Sequence, residues 1–207
     1  MSYLSRRTIE PVVVSFYTVG TLYQLEVLNL IQSCQGFDIE HQIEGIDSQG
    51  SWELNCAQKP FFIQDKLRSL QRPIFWVDAD AVFLQKPSFD EYAECDLAVR
   101  FMDRFSHDPR FRLNAAAIYI NYTPQALSVV EKWCSLCRDI LDKRNRSLEF
   151  LDQISLLEVL DKATDVQVLP LPISYCKVFD LDAAEVEPQD VVIEQRQASR
   201  RFRGLLS

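Results

Sequence analysis

Apolar positions along this chain switch between two periods. Val12-Val13-Val14-Ser15-Phe16-Tyr17 is a β-branched and aromatic run, which predicts a buried strand. Leu22, Leu25, Leu28 and Ile31 recur at about helical spacing and predict a helix over 22–34. A second strand is expected over 39–46, a loop around Gly45, Ser48, Gly50 and Ser51, and a helix over 55–70. Ile74-Phe75-Trp76-Val77 is apolar without a break, as a strand covered on both faces should be. Further strands are predicted over 97–101, 115–120, 166–171 and 191–193, with a polar loop over 104–112. Helices are predicted over 124–142, entered at Pro124, and over 148–162. This alternation specifies an α/β fold with a mostly parallel central sheet flanked by helices. With no linker or repeat, one domain is expected over 1–207, its core about 11–195 and its end a basic segment, 196–207.

Composition narrows the chemistry. The 207 residues are 47% hydrophobic and 25% charged, ordinary for a globular chain, with a net charge of −8. That charge argues against nucleic acid and anionic membrane as partners. It is unevenly spread: Arg196, Arg200, Arg201 and Arg203 stand in the last thirteen residues with no acid among them. Five glycines, at 20, 36, 45, 50 and 204, supply neither G-x-G-x-x-G nor the P-loop pattern. Two histidines, His41 and His107, exclude H-E-x-x-H zinc sites and argue against Ser-His-Asp or Cys-His catalysis. The first ten residues are polar, without the apolar core of a signal peptide, and no apolar run approaches the ~20 residues of a membrane span. The six cysteines are accordingly read as reduced, mostly buried thiols of a cytoplasmic protein that is not integral to a membrane. Cys134 and Cys137, one helical turn apart, are read as core residues.

Asp78-Ala79-Asp80 follows directly on the apolar strand 74–77. Two carboxylates at i and i+2 of an extended segment point the same way and repel unless a cation lies between them. A hard divalent ion is the natural partner. The pair also falls at the carboxyl end of a strand, where open α/β sheets bind ligands. The competing reading is two turn aspartates, one capping the next segment.

Phe75-Trp76-Val77-Asp78-Ala79-Asp80-Ala81-Val82-Phe83, with Pro87 beyond it, resembles the D-x-D strand of nucleotide-sugar glycosyltransferases of the A-type (GT-A) fold. Ser15-Phe16-Tyr17-Thr18 resembles that family's first strand, and Tyr23 the start of the following helix. Ser51-Trp52-Glu53-Leu54-Asn55 with Lys59-Pro60-Phe61-Phe62-Ile63 resembles the helix before the D-x-D. Asn114 to Asn121 resembles the strand lining the donor sugar, and Glu149-Phe150-Leu151-Asp152-Gln153 the "D-Q" helix of retaining members. The similarity spans residues 11 to 203 and is greatest to the bacterial nucleotide-diphospho-sugar transferase group.

The resemblance implies a single-domain, metal-dependent glycosyltransferase using a nucleoside-diphosphate sugar, with UDP as the expected nucleotide. Phe16, Tyr17, Thr18, Tyr23, Lys59, Asp78, Ala79, Asn114, Ala115 and Ala116 would bind the donor. Asp80, with Asp78, would hold Mn²⁺ or Mg²⁺; Asp80 would touch the metal, and Asp78 the ribose or a metal-bound water. Asp152 and Gln153 would stabilise the oxocarbenium-like anomeric carbon, with retention of configuration. The acceptor is not specified: glycan, lipid, protein and small molecule all remain open. The chain departs from the family at its end, where many members supply a histidine ligand and this sequence has none; by the resemblance, Gln195 would take that ligand's place. Ser199, Arg200 and Arg201 would instead meet the diphosphate through forked hydrogen bonds, although 196–207 also reads as a free basic tail. Two rivals remain: a non-catalytic domain of the same fold that binds nucleotide sugar or a partner, and a phosphatase of the haloacid-dehalogenase type, which lacks its Gly-Asp motif here.

Overall fold

The structure is a computed structural model describing residues 9–202 except 106, 109, 144, 145 and 183. In chain order it comprises β1 (Val12–Thr18), α1 (Tyr23–Gly36), β2 (His41–Ile46), α2 (Trp52–Cys56), α3 (Lys59–Leu70), β3 (Ile74–Val77), β4 (Ala81–Phe83), β5 (Leu97–Phe101), β6 (Leu113–Ile120), α4 (Pro124–Lys143), α5 (Leu151–Lys162), β7 (Val168–Pro170), β8 (Lys177–Val178), β9 (Ile193–Gln195) and α6 (Ala198–Phe202). The main sheet has the order β2-β1-β3-β6-β5-β7. Five of its strands run one way; β6 alone is reversed, antiparallel to both β3 and β5. The mostly parallel sheet is therefore present, with one inverted strand at its centre.

The period of two along the strands builds the layers. Val12, Val14, Phe16, Ile74 and Trp76 face a core completed by α3, α4 and α5. Val13, Phe75 and Val77 face the other way, onto α1 and a small second sheet, β4-β9-β8. Cys134 and Cys137 are both buried on the inner stripe of α4. All six cysteines are free thiols, and only Cys56 is not fully buried.

Several elements differ from the pattern-based expectation, each for a local reason. The expected helix over 55–70 is two helices, broken at Ala57–Gln58. Pro60 has no N–H to return to the Cys56 carbonyl, so α2 ends and α3 restarts around it. α5 starts at Leu151 rather than 148 because Phe150 is left-handed, with φ 56°. The last strand lies at Ile193–Gln195, not 191–193, because its register is set by pairing with β4. Asp78-Ala79-Asp80 is not extended: it is a turn closed by Ala81 N–H on the Asp78 carbonyl. The basic segment carries α6 as far as Phe202; Arg203 and the rest of the terminus lie outside the described residues. No helix of the described residues is long and apolar enough to cross a membrane.

Candidate active site

The ends of β1, β3 and β5 and the beginning of reversed β6 meet at one edge of the sheet, over a cavity of about 420 Å³. Phe16, Tyr17 and Thr18 line it from the end of β1, and Tyr23 from the first residue of α1. Asp78, Ala79 and Asp80 line it from the turn after β3, and Asn114 and Ala116 from β6. Asp152 and Gln153 enter from the first turn of α5, and Ser199 and Arg200 from α6.

Lys59 is the electrostatic centre of this wall. It opens α3, is 6% exposed, and its ammonium lies 2.6 Å from Asp152 Oδ2 and 3.0 Å from Asp78 Oδ1. It also donates to the Ala115 carbonyl at 3.1 Å and sits 5.4 Å from the Trp76 ring centroid. Burial opposes its charge, but the two carboxylates outweigh it and raise the lysine pKa, so the cation persists. Trp76 Nε1 donates to the same Asp78 oxygen at 3.0 Å. One oxygen of each carboxylate is thus spent on protein partners, and Asp78 stays 35% exposed at its side chain.

Asp80 is differently placed. It is 8% exposed, its Oδ2 accepts from Ala198 N–H at 2.6 Å, and its carbonyl accepts from Arg196 N–H at 3.1 Å. Burial, with the nearby Asp78 charge, raises its pKa from 3.8 to about 6. The carboxyl therefore ties the start of α6 to the turn. Gln197, just before that helix, is left-handed at φ 53° and lines the cavity. Arg200 lines the cavity while pairing with Asp180 at 2.9 Å. Arg201 turns outward to Glu26 of α1 and is not part of the cavity wall.

Other predicted residues serve the framework. Ala115 is not in the wall; its carbonyl holds Lys59 and its N–H donates to Gln153 Oε1 at 3.1 Å. Gln153 Nε2 donates to the Arg110 carbonyl, so this amide is spent on two backbone segments. Asn114 Oδ1 accepts from Ala116 N–H at 2.8 Å. Tyr23 Oη accepts from Trp52 Nε1 at 3.1 Å, and burial raises the phenol pKa. Gln195 is fully buried outside the wall, opposite Ala81, with Nε2 3.3 Å from the Ala116 carbonyl and Oε1 without a hydrogen-bond partner. His107 is exposed and outside the cavity.

Pattern reasoning passed over Cys56, Trp76, Met102, Phe150, Val178 and Leu181, which also line the cavity. Trp76 reads as core because it is core on one side. Val178 and Leu181 arrive on a segment fixed by a buried ion cluster: Asp182 accepts from Arg100 at 2.5 and 2.9 Å, from Arg104 at 2.6 Å and from Val178 N–H at 2.7 Å. Nothing in the local sequence marks that cluster.

No protein-family profile matches the chain, and no curated protein matches it. Among solved structures, it superposes on a glycosyltransferase involved in the glycosylation of the major capsid of PBCV-1, with a TM-score of 0.65 at 10% identity, covering 91% of this chain and 94% of that one. The chain has a glycosyltransferase fold. The apo form of mouse xyloside xylosyltransferase 1 aligns with a TM-score of 0.48 at 9% identity, over 92% of this chain and 99% of that one. Within the glycosyltransferase fold of this chain, the cavity lies where parallel strands end, as ligand sites of open α/β sheets do.

Proposed function

We propose that the protein is a retaining glycosyltransferase that moves a sugar from a nucleoside-diphosphate donor, with UDP-sugars the first candidates, to a hydroxyl acceptor. The observation that carries this reading is the convergence of Asp78, Asp80 and Asp152 on one cavity of a glycosyltransferase fold, with Lys59 bonded to two of them. The base and ribose lie against the end of β1 and Tyr23. Arg200 faces the diphosphate, where a guanidinium makes forked, charge-assisted bonds. Asp152, oriented by Lys59, faces the anomeric carbon and stabilises positive charge as it develops. Gln153, whose amide bonds two backbone segments, positions the loop bearing Arg110 beside Asp152. The bond from the anomeric carbon to the diphosphate breaks with its electron pair on the diphosphate. The acceptor oxygen forms the new bond, and its proton passes to the departing phosphate.

The oxygens fit a divalent cation. Asp78 and Asp80 each commit one carboxylate oxygen to a protein partner that the hydrogen bonds above name, and the buried Gln195 Oε1 has none. Magnesium-type sites often use one or two carboxylates completed by substrate phosphates. Among the described residues no group of three His, Cys, Asp or Glu side chains offers a complete protein cage. Asp78 and Asp80 would hold Mn²⁺ or Mg²⁺, with the unpartnered Gln195 Oε1 as a candidate further oxygen, and the ion would neutralise charge on the diphosphate.

Calorimetry with UDP and GDP, with and without Mn²⁺, tests the binding half of this reading on the wild type and Asp80→Asn. Screening UDP- and GDP-sugars for donor hydrolysis tests the catalytic half, with Asp152→Ala as the control. Metal-dependent nucleotide binding that Asp80→Asn abolishes, with turnover that Asp152→Ala removes, is the expected result. Binding without turnover of any donor supports instead a non-catalytic nucleotide-sugar-binding domain. Absence of binding under every ion overturns both.

A further inference from the structure

Phe150 is a non-glycine residue in the left-handed region, with φ 56° and ψ 28°, directly ahead of α5. That conformation is unfavourable for a residue with a β-carbon, and no side-chain cap hydrogen bond offsets it at this position. Its effect is to place the ring in the cavity wall two residues before Asp152. Two rings brace it: Phe111, with centroids 5.3 Å apart at 65°, and Trp52, 6.4 Å apart at 86°. The three come from separate elements: the approach to β6, the start of α2 and the start of α5. Asn55, Asn114, Glu149 and Asp152 line the same cavity and give it polar groups beside the rings' apolar surface.

We propose that this wall is the acceptor subsite and that the acceptor is a saccharide, bound with the apolar C–H face of a pyranose ring against Phe150. The inference rests on the transferase reading above and names the acceptor class for that site. A pyranose carries an apolar face and an equatorial belt of hydroxyls. It therefore matches an aromatic surface framed by carboxylate and amide groups. A lipid chain matches the rings but desolvates the exposed Glu149 carboxylate without giving it hydrogen bonds. A peptide in extended form needs a row of backbone partners, whereas this wall is made of side chains. Phe150 stands two residues before Asp152, the group assigned to the anomeric carbon, while Trp52 behind it hydrogen-bonds Tyr23 of the donor end, so the wall adjoins the donor site.

Saturation-transfer NMR with methyl glycosides of glucose, galactose, mannose and xylose, recorded with and without UDP and Mn²⁺, tests the proposal directly. Glycerol, octanol and a Ser/Thr peptide serve as comparison probes. At least one glycoside should receive saturation chiefly on the ring protons of one face. Phe150→Gly, which suits the left-handed backbone and so keeps the fold, should weaken that glycoside about tenfold or more while leaving the UDP affinity within about twofold. Phe111→Leu should weaken it less. Equal glycoside binding by wild type and Phe150→Gly, no signal from any methyl glycoside, or signal from octanol or peptide alone overturns the saccharide subsite. Failure of wild type to bind UDP in the same samples overturns the donor-site reading instead, and the nucleotide-free spectra keep the two outcomes apart.

Discussion

The ammonium of Lys59 stands 2.6 Å from the carboxylate of Asp152, both side chains almost fully buried. It also binds Asp78, so a single cation links the turn after β3 to the first turn of α5. Removing one partner of a buried pair strands the other charge, which typically costs about 3–5 kcal/mol. Lys59→Met should therefore lower the urea midpoint sharply, with two carboxylates left uncompensated. Asp152→Asn should cost less, because Asp78 and the Ala115 carbonyl still hold the lysine. A double-mutant cycle across Lys59→Met and Asp152→Asn should give a coupling of more than about 1 kcal/mol, and an additive pair would show that the contact is not energetically real.

Asp80 should make the ligand-free protein less stable as pH rises. Its folded pKa, about 6, lies above its ordinary 3.8, so between these values the folded state holds the proton more tightly than the unfolded chain. Stability then falls as pH climbs from about 4 to 6 and stays lower above that. Asp80→Asn keeps an oxygen for Ala198 N–H and removes the charge. At pH 7.5 without metal it should stabilise by on the order of 2 kcal/mol, shrinking toward zero near pH 4. Denaturation midpoints across pH 4–8 for the two proteins measure this directly; parallel profiles would contradict it.

Much of the architecture is legible because strand and helix periods are strong signals, and the unbroken apolar run Ile74–Val77 marks its own burial on both faces. The segment Asp78-Ala79-Asp80 reads as extended by pattern, whereas the chain turns there, closed by Ala81 N–H on the Asp78 carbonyl. Its two aspartates reach the cavity because the chain reverses into β4, a three-residue strand too short to show a period. Lys59 could be singled out, but its double pairing joins residues distant in sequence, and no local pattern encodes that. Phe150 was invisible as a strained position, since left-handed backbone carries no mark when the residue is not glycine. α6 was hidden for a related reason: five residues rich in arginine look like a tail until the Asp80 carboxylate is seen capturing Ala198 N–H.

The two neighbouring arginines of α6 should separate cleanly. Arg200 lines the cavity; Arg201 pairs with Glu26 outside it. Charge-assisted bonds to phosphate are worth about 1.5–3 kcal/mol, so Arg200→Ala should weaken UDP binding roughly 10- to 100-fold. Arg201→Ala loses a partly exposed ion pair and should change the affinity by less than about threefold. Calorimetry on both variants decides the assignment, and equal losses would mean that α6 acts as a unit rather than through one guanidinium.

The buried Asp182 cluster holds the segment that brings Val178 and Leu181 to the cavity, so its loss should be felt in both stability and ligand binding. Among the described residues, Arg100, 5% exposed, would keep the Cys176 carbonyl at 2.6 Å as its side-chain hydrogen-bond partner in Asp182→Ala. A stranded buried guanidinium should cost about 3–5 kcal/mol. Asp182→Asn retains an acceptor oxygen but no charge, and should fall between wild type and alanine. Burial pushes the Asp182 pKa up, but the Arg100 and Val178 hydrogen bonds and the arginine charges outweigh it and hold the value below its ordinary one, so the unfolded chain takes up a proton first as the solution is acidified. Its stabilisation is complete above the ordinary carboxylate range and is lost as pH falls through the depressed folded value. The stability gap between wild type and Asp182→Asn should therefore be constant from pH 8 to 5 and close below about pH 4. Urea titrations at each pH read that gap. A gap that persists undiminished into strong acid would locate the cost in packing rather than in the ion cluster.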